Sequence, residues 1–291
     1  MADFGDFERA NIAAMAGTLY VVATPLGNLG DLTPRAAAIL RGVPVVAAED
    51  TRRTRGLLTH LGASPRLLSF HQHSDTRRLG TLLDILASGR DVALVSDAGT
   101  PVVSDPGAEL VAAVRAQGGA VVPIPGVSAV ATALSVCGLE GDRYLFLGFL
   151  PRKGAERSRL LARAAQEEWP VVAFEAPGRL VALLEDLAAM AGPDRQAFVA
   201  RELTKLHEEL RAGTLAELAA YFTAEEPRGE ITVVVSGTGA AAGPPDRSAE
   251  AARLAAVWLA EGMSRRDIVE KLISMLGLPR NEAYRRVMEL Q

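Results

Sequence analysis

Three polar, glycine-containing loops each follow a short apolar run and lead into a helical segment. They are residues 24–33 (TPLGNLGDLT), 96–107 (SDAGTPVVSDPG) and 123–129 (PIPGVSA). Gly27 and Gly30 allow the backbone to approach a ligand closely, and Asp31 or Thr33 can cap the following helix. Ligands of open α/β sheets bind outside the carboxyl ends of the strands, which is where all three loops must lie. The pattern predicts a small-molecule site, although it matches neither a P-loop nor the dinucleotide fingerprint.

Basic side chains and imidazoles cluster in three further segments: residues 49–55 (EDTRRTR), 69–75 (SFHQHSD) and 151–159 (PRKGAERSR). Solvated loops and helix faces are the ordinary place for such residues, and contact with an anionic substrate is the functional alternative. A metal site at His71 and His73 is disfavoured because no other His or Cys stands nearby at ligand spacing. A substrate contact or a proton-transfer role fits these two imidazoles better.

Short runs rich in Val and Ile alternate with longer helical segments, which predicts βαβ units and a mostly parallel sheet buried on both faces. The rhythm restarts after residues 138–142, so we expect one α/β domain over residues 17–138 and a second over 139–238. Residues 237–245 (GTGAAAGPP) have the composition of a linker. A helical piece follows over 246–291, and its two short segments around Gly277 fit either a helix-turn-helix or a helical cap on the preceding domain.

Composition limits the class of protein. The chain has 291 residues and a formal net charge of −4, which argues against a protein that binds nucleic acid over its whole surface. Its single cysteine argues against a disulfide framework. Residues 1–16 carry three acids and no basic n-region, so we expect a mobile tail rather than a signal peptide. No stretch fits a membrane span, since residues 119–139 are interrupted by Pro and Gly. We therefore expect a cytoplasmic protein.

Six segments together resemble one family. Residues 19–33, 48–54, 96–101, 125–129, 148–151 and 201–205 resemble, in unbroken order, the bacterial ribosomal RNA small subunit methyltransferase I family of the tetrapyrrole methylase superfamily. The resemblance implies transfer of a methyl group from S-adenosylmethionine to the ribose 2′-oxygen of a cytidine in the decoding region of 16S rRNA. It also implies two α/β domains of the class III methyltransferase type with the cofactor in the cleft between them, and a homodimer. The C-terminal helices would form a small appendage.

The resemblance carries over to individual positions. It places ten residues at S-adenosylmethionine: Leu26, Gly27, Asp97, Gly99, Thr100, Ser128, Ala129, Phe174, Ala200 and Thr232. The superfamily's loop often reads Gly-Asp-Pro where this chain has Ser96, Asp97 and Ala98, so Asp97 is the matched position of the three. No metal is implied.

The chemistry of that reaction requires a proton acceptor and anion contacts. Glu49, Asp50 and His71 are the candidates for the proton, in no order that the sequence fixes. Six residues are candidates for RNA, within or outside the 30S subunit: Arg52, Arg53, His73, Arg152, Lys153 and Lys205. The sequence leaves two other functions open: a methyltransferase of a tetrapyrrole or other small molecule, and a non-catalytic RNA-binding module.

Overall fold

The computed structural model describes residues 15–71, 76–139, 141–239, 247–260, 262–276 and 280–288. The chain divides into two compact units, which meet in sequence at Gly237 and Thr238. The first unit contains two five-stranded sheets, and the second is helical. The described residues of the expected tail are Met15, which is buried in the core beside the first sheet, and exposed Ala16.

The first sheet is entirely parallel, with strand order β3-β2-β4-β1-β5. Its elements are β1 (Thr18–Val22), α1 (Pro34–Gly42), β2 (Val45–Ala48), α2 (Thr51–His60), β3 (Arg66–Ser69), α3 (Thr76–Ala87), β4 (Val92–Val95), α4 (Ala108–Ala116), β5 (Ala120–Ile124) and α5 (Ala129–Val136). Every residue of β2 and β4 is buried, because α1 and α2 cover one face and α3 and α4 cover the other. The predicted parallel sheet buried on both faces is confirmed here. Thr33 caps α1 by accepting a hydrogen bond from the Ala36 N–H at 3.1 Å.

The second sheet is mixed, with strand order β6-β7-β10-β8-β9. Its elements are β6 (Leu145–Phe149), α6 (Ala155–Gln166), β7 (Val171–Glu175), α7 (Leu180–Ala191), β8 (Gln196–Arg201), β9 (Glu209–Thr214), α8 (Leu215–Ala224) and β10 (Ile231–Val235). Only β6 and β7 pair in parallel, and the other three pairings are antiparallel. The prediction of a mostly parallel sheet, which the alternation of strands and helices suggested, is therefore wrong for this half. Strand β9 returns directly beside β8 without a crossover helix, and an antiparallel pair needs none.

Helix α5 joins the two halves of the first unit. Its buried residues Val130 and Ala133 pack with Val172, Phe198 and Val234 of the second sheet. Helices α6, α7 and α8 cover the opposite face of that sheet. A helix encoded before the expected boundary at 138 thus supplies one of the two layers that bury the second sheet.

The second unit consists of α9 (Arg247–Ala260), α10 (Arg265–Leu276) and α11 (Arg280–Met288). Ala255, Trp258, Ile268, Leu272 and Val287 form its core. Ser264 caps α10 by accepting a hydrogen bond from the Asp267 N–H at 3.2 Å. The predicted linker lies largely outside the described residues, as does the turn at residues 277–279.

Within the part of the chain that the structure describes, no helix is long and apolar enough to cross a membrane. The same residues contain no group of three or more His, Cys, Asp or Glu side chains arranged to hold a metal ion. Cys137 is buried and forms no disulfide.

Candidate active site

A cavity of about 410 Å³, the first cavity, lies between the carboxyl ends of the first sheet's strands and one end of the second sheet. This volume falls within the usual range of small-molecule sites. The loops that follow β1, β2, β4 and β5 form one wall, and residues at the ends of β6, β7 and β10 form the other. The position agrees with the rule that open α/β sheets bind ligands beyond their strand ends.

Hydrogen bonds hold the three predicted loops together. Thr24 and Gly99 exchange both backbone hydrogen bonds at 2.9 Å, which joins the loop after β1 to the loop after β4. The Thr100 hydroxyl donates to the Val127 carbonyl at 3.1 Å, which joins the loop after β4 to the loop after β5. Gly99 has φ of +75°, and a Cβ there would lie 3.2 Å from Leu26. The glycine therefore allows both the turn and the close approach of the two loops.

The second sheet contributes an aromatic surface to the opposite wall. Phe174 and Thr232 face each other across β7 and β10. The ring of Phe174 lies 5.0 Å from Phe146 and 5.5 Å from Phe149, between ring centroids. Phe149 is 56% exposed, and this large apolar side chain borders the cavity. Such a surface suits a planar ring of a ligand.

Carboxylates concentrate around the first cavity. Among the described lining residues Arg53 is the only basic one, and five are acidic: Glu49, Asp97, Asp105, Glu175 and Glu230. Burial raises the pKa of Glu49, and the neighbouring Asp97 carboxylate raises it further. Burial likewise raises the pKa of Asp105 to about 6, helped by Glu49, Asp97 and Glu230 and opposed by a hydrogen bond from Ser96. An excess of carboxylates that repel one another favours a cationic ligand.

We expect Asp105→Asn to increase the free energy of unfolding above about pH 6 and to leave it nearly unchanged at about pH 3. The folded carboxyl has a pKa of about 6 against an ordinary value of 3.8, so its ionisation favours the unfolded chain. As the pH falls through 6 the folded carboxyl is protonated and this penalty shrinks, and below 3.8 both states are protonated. Urea unfolding at both pH values measures the effect, with exposed Asp84→Asn as the control. Equal gains at both pH values would contradict the assignment.

The three candidates for the proton occupy different environments. Glu49 lines the first cavity. Asp50 does not, because its side chain caps α2 by accepting from the Arg52 N–H at 2.8 Å and pairs with the Arg52 guanidinium at 2.8 Å. Those contacts lower the pKa of Asp50 to about 2, which makes it a weak base. His71 is exposed and lies outside the cavity lining, although its charge is close enough to lower the pKa of Glu49.

The candidates for RNA contact also lie in different parts of the structure. Arg53 lines the first cavity, and both Arg53 and Lys205 line an adjoining one. Glu230 lies between these two cations, 3.5 Å from Arg53 and 3.3 Å from Lys205. Arg52 is exposed on α2, and Arg152 and Lys153 are exposed on the loop before α6. His73 lies outside the described residues.

Eight of the ten expected cofactor residues line the first cavity: Leu26, Asp97, Gly99, Thr100, Ser128, Ala129, Phe174 and Thr232. Gly27 lies instead on the adjoining cavity. Ala200 is fully buried between the second sheet and α5 and lines neither cavity, because it belongs to the apolar core that joins the two halves.

Four residues outside the candidates predicted from the sequence also line the first cavity: Asp105, Phe149, Leu203 and Glu230. Asp105 lies within the polar loop 96–107, and Phe149 and Leu203 lie in two of the six segments that carry the resemblance, so all three had a signal. No sequence signal marked Glu230. It directly precedes β10, and because β10 runs antiparallel to β7, the start of β10 lies at the site.

A family model of the tetrapyrrole (corrin/porphyrin) methylases matches residues 18–219. Ribosomal RNA small subunit methyltransferase I of Synechocystis sp. is 46% identical over 280 residues, which cover 94% of this chain and 99% of that protein. The enzyme of the same name from Escherichia coli O157:H7 is 40% identical over 277 residues, covering 94% and 96%. The chain belongs to the ribosomal RNA small subunit methyltransferase I family of tetrapyrrole methylases. The family resemblance of the sequence is thereby confirmed.

Solved structures share the fold of this family member. Cobalt precorrin-4 methyltransferase has a TM-score of 0.60 at 18% identity, covering 75% of this chain and 94% of its own. Uroporphyrin-III C-methyltransferase from Thermus thermophilus, complexed with S-adenyl homocysteine, has a TM-score of 0.56 at 20% identity, covering 75% and 97%. The expected class III methyltransferase fold is confirmed by these likenesses.

The residues at the first cavity fit S-adenosylmethionine, the methyl donor of this family. The donor has a sulfonium and an ammonium group, and five acidic residues line the cavity. Its adenine ring matches the aromatic surface of Phe149 and Phe174. The turn at Gly99 lets backbone line the cavity closely.

Proposed function

We propose that this protein transfers a methyl group from S-adenosylmethionine to the ribose 2′-oxygen of a cytidine in the decoding region of 16S rRNA. The observation that carries the proposal is an acid-lined cavity directly beside a cavity that bears Arg53 and Lys205. The acid-lined cavity suits a cationic methyl donor, and the neighbouring cavity with its two basic residues suits an anionic acceptor. The names of the relatives support ribosomal RNA as the acceptor.

Residues of the two sheets would hold the donor. Asp97, Asp105 and Glu230 would face its positive groups, while Phe149 and Phe174 would contact its ring. When bound, the donor supplies a methyl carbon already activated by the sulfonium charge. The main task of the protein is therefore to align the acceptor oxygen with that carbon, which contributes on the order of 7–11 kcal/mol in favourable cases.

Glu49 is the proposed proton acceptor. It lines the first cavity. It is also close to Asp97 and Arg53, which lie on the wall that the two cavities share. Its raised pKa brings the carboxylate nearer to the basicity that a general base needs at neutral pH. Loss of a ribose hydroxyl proton to Glu49 would generate the nucleophilic oxygen as the methyl group moves.

Basic side chains outside the cavities would bind the RNA backbone. Arg52 lies beside the site on α2, and Arg152 and Lys153 lie on the exposed loop before α6. Phosphate contacts of this kind position a nucleic acid without reading its sequence. We expect the working form to be a homodimer that acts in the cytoplasm on 16S rRNA of the 30S subunit.

Transfer of labelled methyl from S-adenosylmethionine to 30S subunits that lack the modification tests the function, followed by mapping of the label. We expect label on the 2′-oxygen of a single cytidine. Label on a tetrapyrrole, in a parallel reaction with uroporphyrinogen, would favour the second candidate function, which the names of the structural neighbours suggest. Absence of label from both acceptors would favour a non-catalytic RNA-binding protein.

A further inference from the structure

The second cavity, of about 380 Å³, adjoins the first across a shared wall. Leu26, Arg53, Asp97 and Glu230 line both cavities. The rest of the second cavity comes from the loop after β1, from α2, from Ser96 after β4 and from Lys205. A group in one cavity and a group in the other can therefore meet at the shared wall.

The second cavity differs from the first in charge. Lys205 and Arg53 both line it, and its two carboxylates, Asp97 and Glu230, are ion-pair partners of those cations. The pairs of Arg53 are long, at 3.6 Å to Asp97 and 3.5 Å to Glu230, and Arg53 is more than half exposed. Pairs of that kind contribute little to stability. A phosphate can replace these carboxylates as the partner of Arg53 at small cost.

The remaining lining of the second cavity is apolar or hydroxylated. Pro25, Leu29 and Leu57 provide apolar surface, and Leu29 is 45% exposed. Thr54 adds a hydroxyl group. Apolar surface next to cations matches a nucleotide, whose base needs contact with side-chain surface and whose phosphate needs a positive charge.

Two glycines give the cavity its space. The aliphatic stem of Lys205 lies against Gly27, where a Cβ would collide with it, so Gly27 lets Lys205 reach across to the first domain. Gly56 lies on α2 at the cavity wall, and a Cβ there would meet nothing within 4 Å. A longer side chain at position 56 would project into open space instead of into the protein.

We propose that the second cavity receives the acceptor nucleotide, unstacked from its RNA strand, while the donor occupies the first cavity. Arg53 and Lys205 bind the phosphate, and the ribose lies at the shared wall, within reach of Glu49. The 2′-oxygen loses its proton to Glu49 and forms a bond to the methyl carbon, and the sulfur leaves as the neutral thioether. This inference rests on the proposed function, since it assigns the place of that reaction's acceptor.

Substitution of Gly56 tests the assignment. Gly56→Leu places a bulky side chain at the wall of the second cavity, at a position that does not line the first cavity. Leucine also favours the helix more than glycine does. We expect methylation of 30S subunits to fall by about 100-fold, as for other displaced reactants. We expect calorimetric affinity for S-adenosylmethionine to stay within about twofold, as for other substitutions away from a binding site. Gly56→Ala should give a smaller loss of methylation.

Gly80→Leu is the matched control, because Gly80 lies within α3, also has open space around its Cβ, and lines neither cavity. Full methylation by Gly56→Leu, with the wild-type protein active, would overturn the inference and leave the proposed function standing. Loss of donor affinity in Gly56→Leu would also overturn it, because the second cavity would then belong to the donor. A wild-type protein that methylates no ribosomal RNA would instead refute the proposed function, and the inference with it.

Discussion

Asp97→Ala is expected to lower the affinity for S-adenosylmethionine by about 10²-fold or more, the usual cost of truncating one partner of a buried charge pair. Asp97 lies on the wall shared by both cavities. One carboxylate oxygen accepts a hydrogen bond from the Asp50 N–H at 2.9 Å, and the other lies 3.6 Å from Arg53. Its removal takes away a negative charge that faces the donor and also the hydrogen bond that holds the start of α2. Calorimetric titration with the donor measures the loss.

Two further variants separate charge from structure at this position. Asp97→Asn keeps an acceptor for the Asp50 N–H and removes only the charge, so we expect an intermediate loss of affinity. Asp84→Ala, on the exposed surface of α3, should leave affinity unchanged. Wild-type affinity in Asp97→Ala would remove Asp97 from the donor site.

Glu49→Gln should lower the rate of methyl transfer by about 10²- to 10⁴-fold, the usual contribution of a positioned general base. Glutamine keeps the shape of the side chain but cannot accept the ribose proton. Donor affinity should change much less than the rate, because other carboxylates remain at the first cavity. Single-turnover transfer to 30S subunits and calorimetry of donor binding measure the two quantities separately.

The pH profile distinguishes a base from a structural carboxylate. Burial and Asp97 raise the pKa of Glu49, so wild-type transfer should decline as the pH falls through that raised value. In Glu49→Gln the residual rate should lack this dependence. Exposed Glu109→Gln, on α4, is the control for loss of a carboxylate outside the site. A Glu49→Gln protein that keeps both the rate and the profile of the wild type would show that another group takes the proton.

Much of the first domain could be predicted from the sequence. Runs such as residues 45–48 and 92–95 are continuously apolar, which is the pattern of parallel strands covered on both faces. The same pattern does not predict β3, because Arg66–Ser69 is short and only partly buried at the edge of the sheet. In the second half, β9 (Glu209–Thr214, ELRAGT) contains no Val or Ile, so the same pattern does not predict it either. That strand, and not the βα rhythm, sets the mixed direction of the second sheet.

The sequence by itself determined the family and the three loops at the edge of the first sheet, because glycines, caps and strand ends are local features that are read from neighbouring residues. The tertiary structure decided which charged residues share a wall. Arg53 and Glu230 are 177 positions apart, and they come within 3.5 Å only because the second sheet packs against α5 and brings the start of β10 to the first domain. Asp50 and Glu49 are adjacent in the sequence, yet one caps a helix and the other lines the cavity. Side-chain direction and burial, which set their basicity, follow from long-range packing and not from residue type.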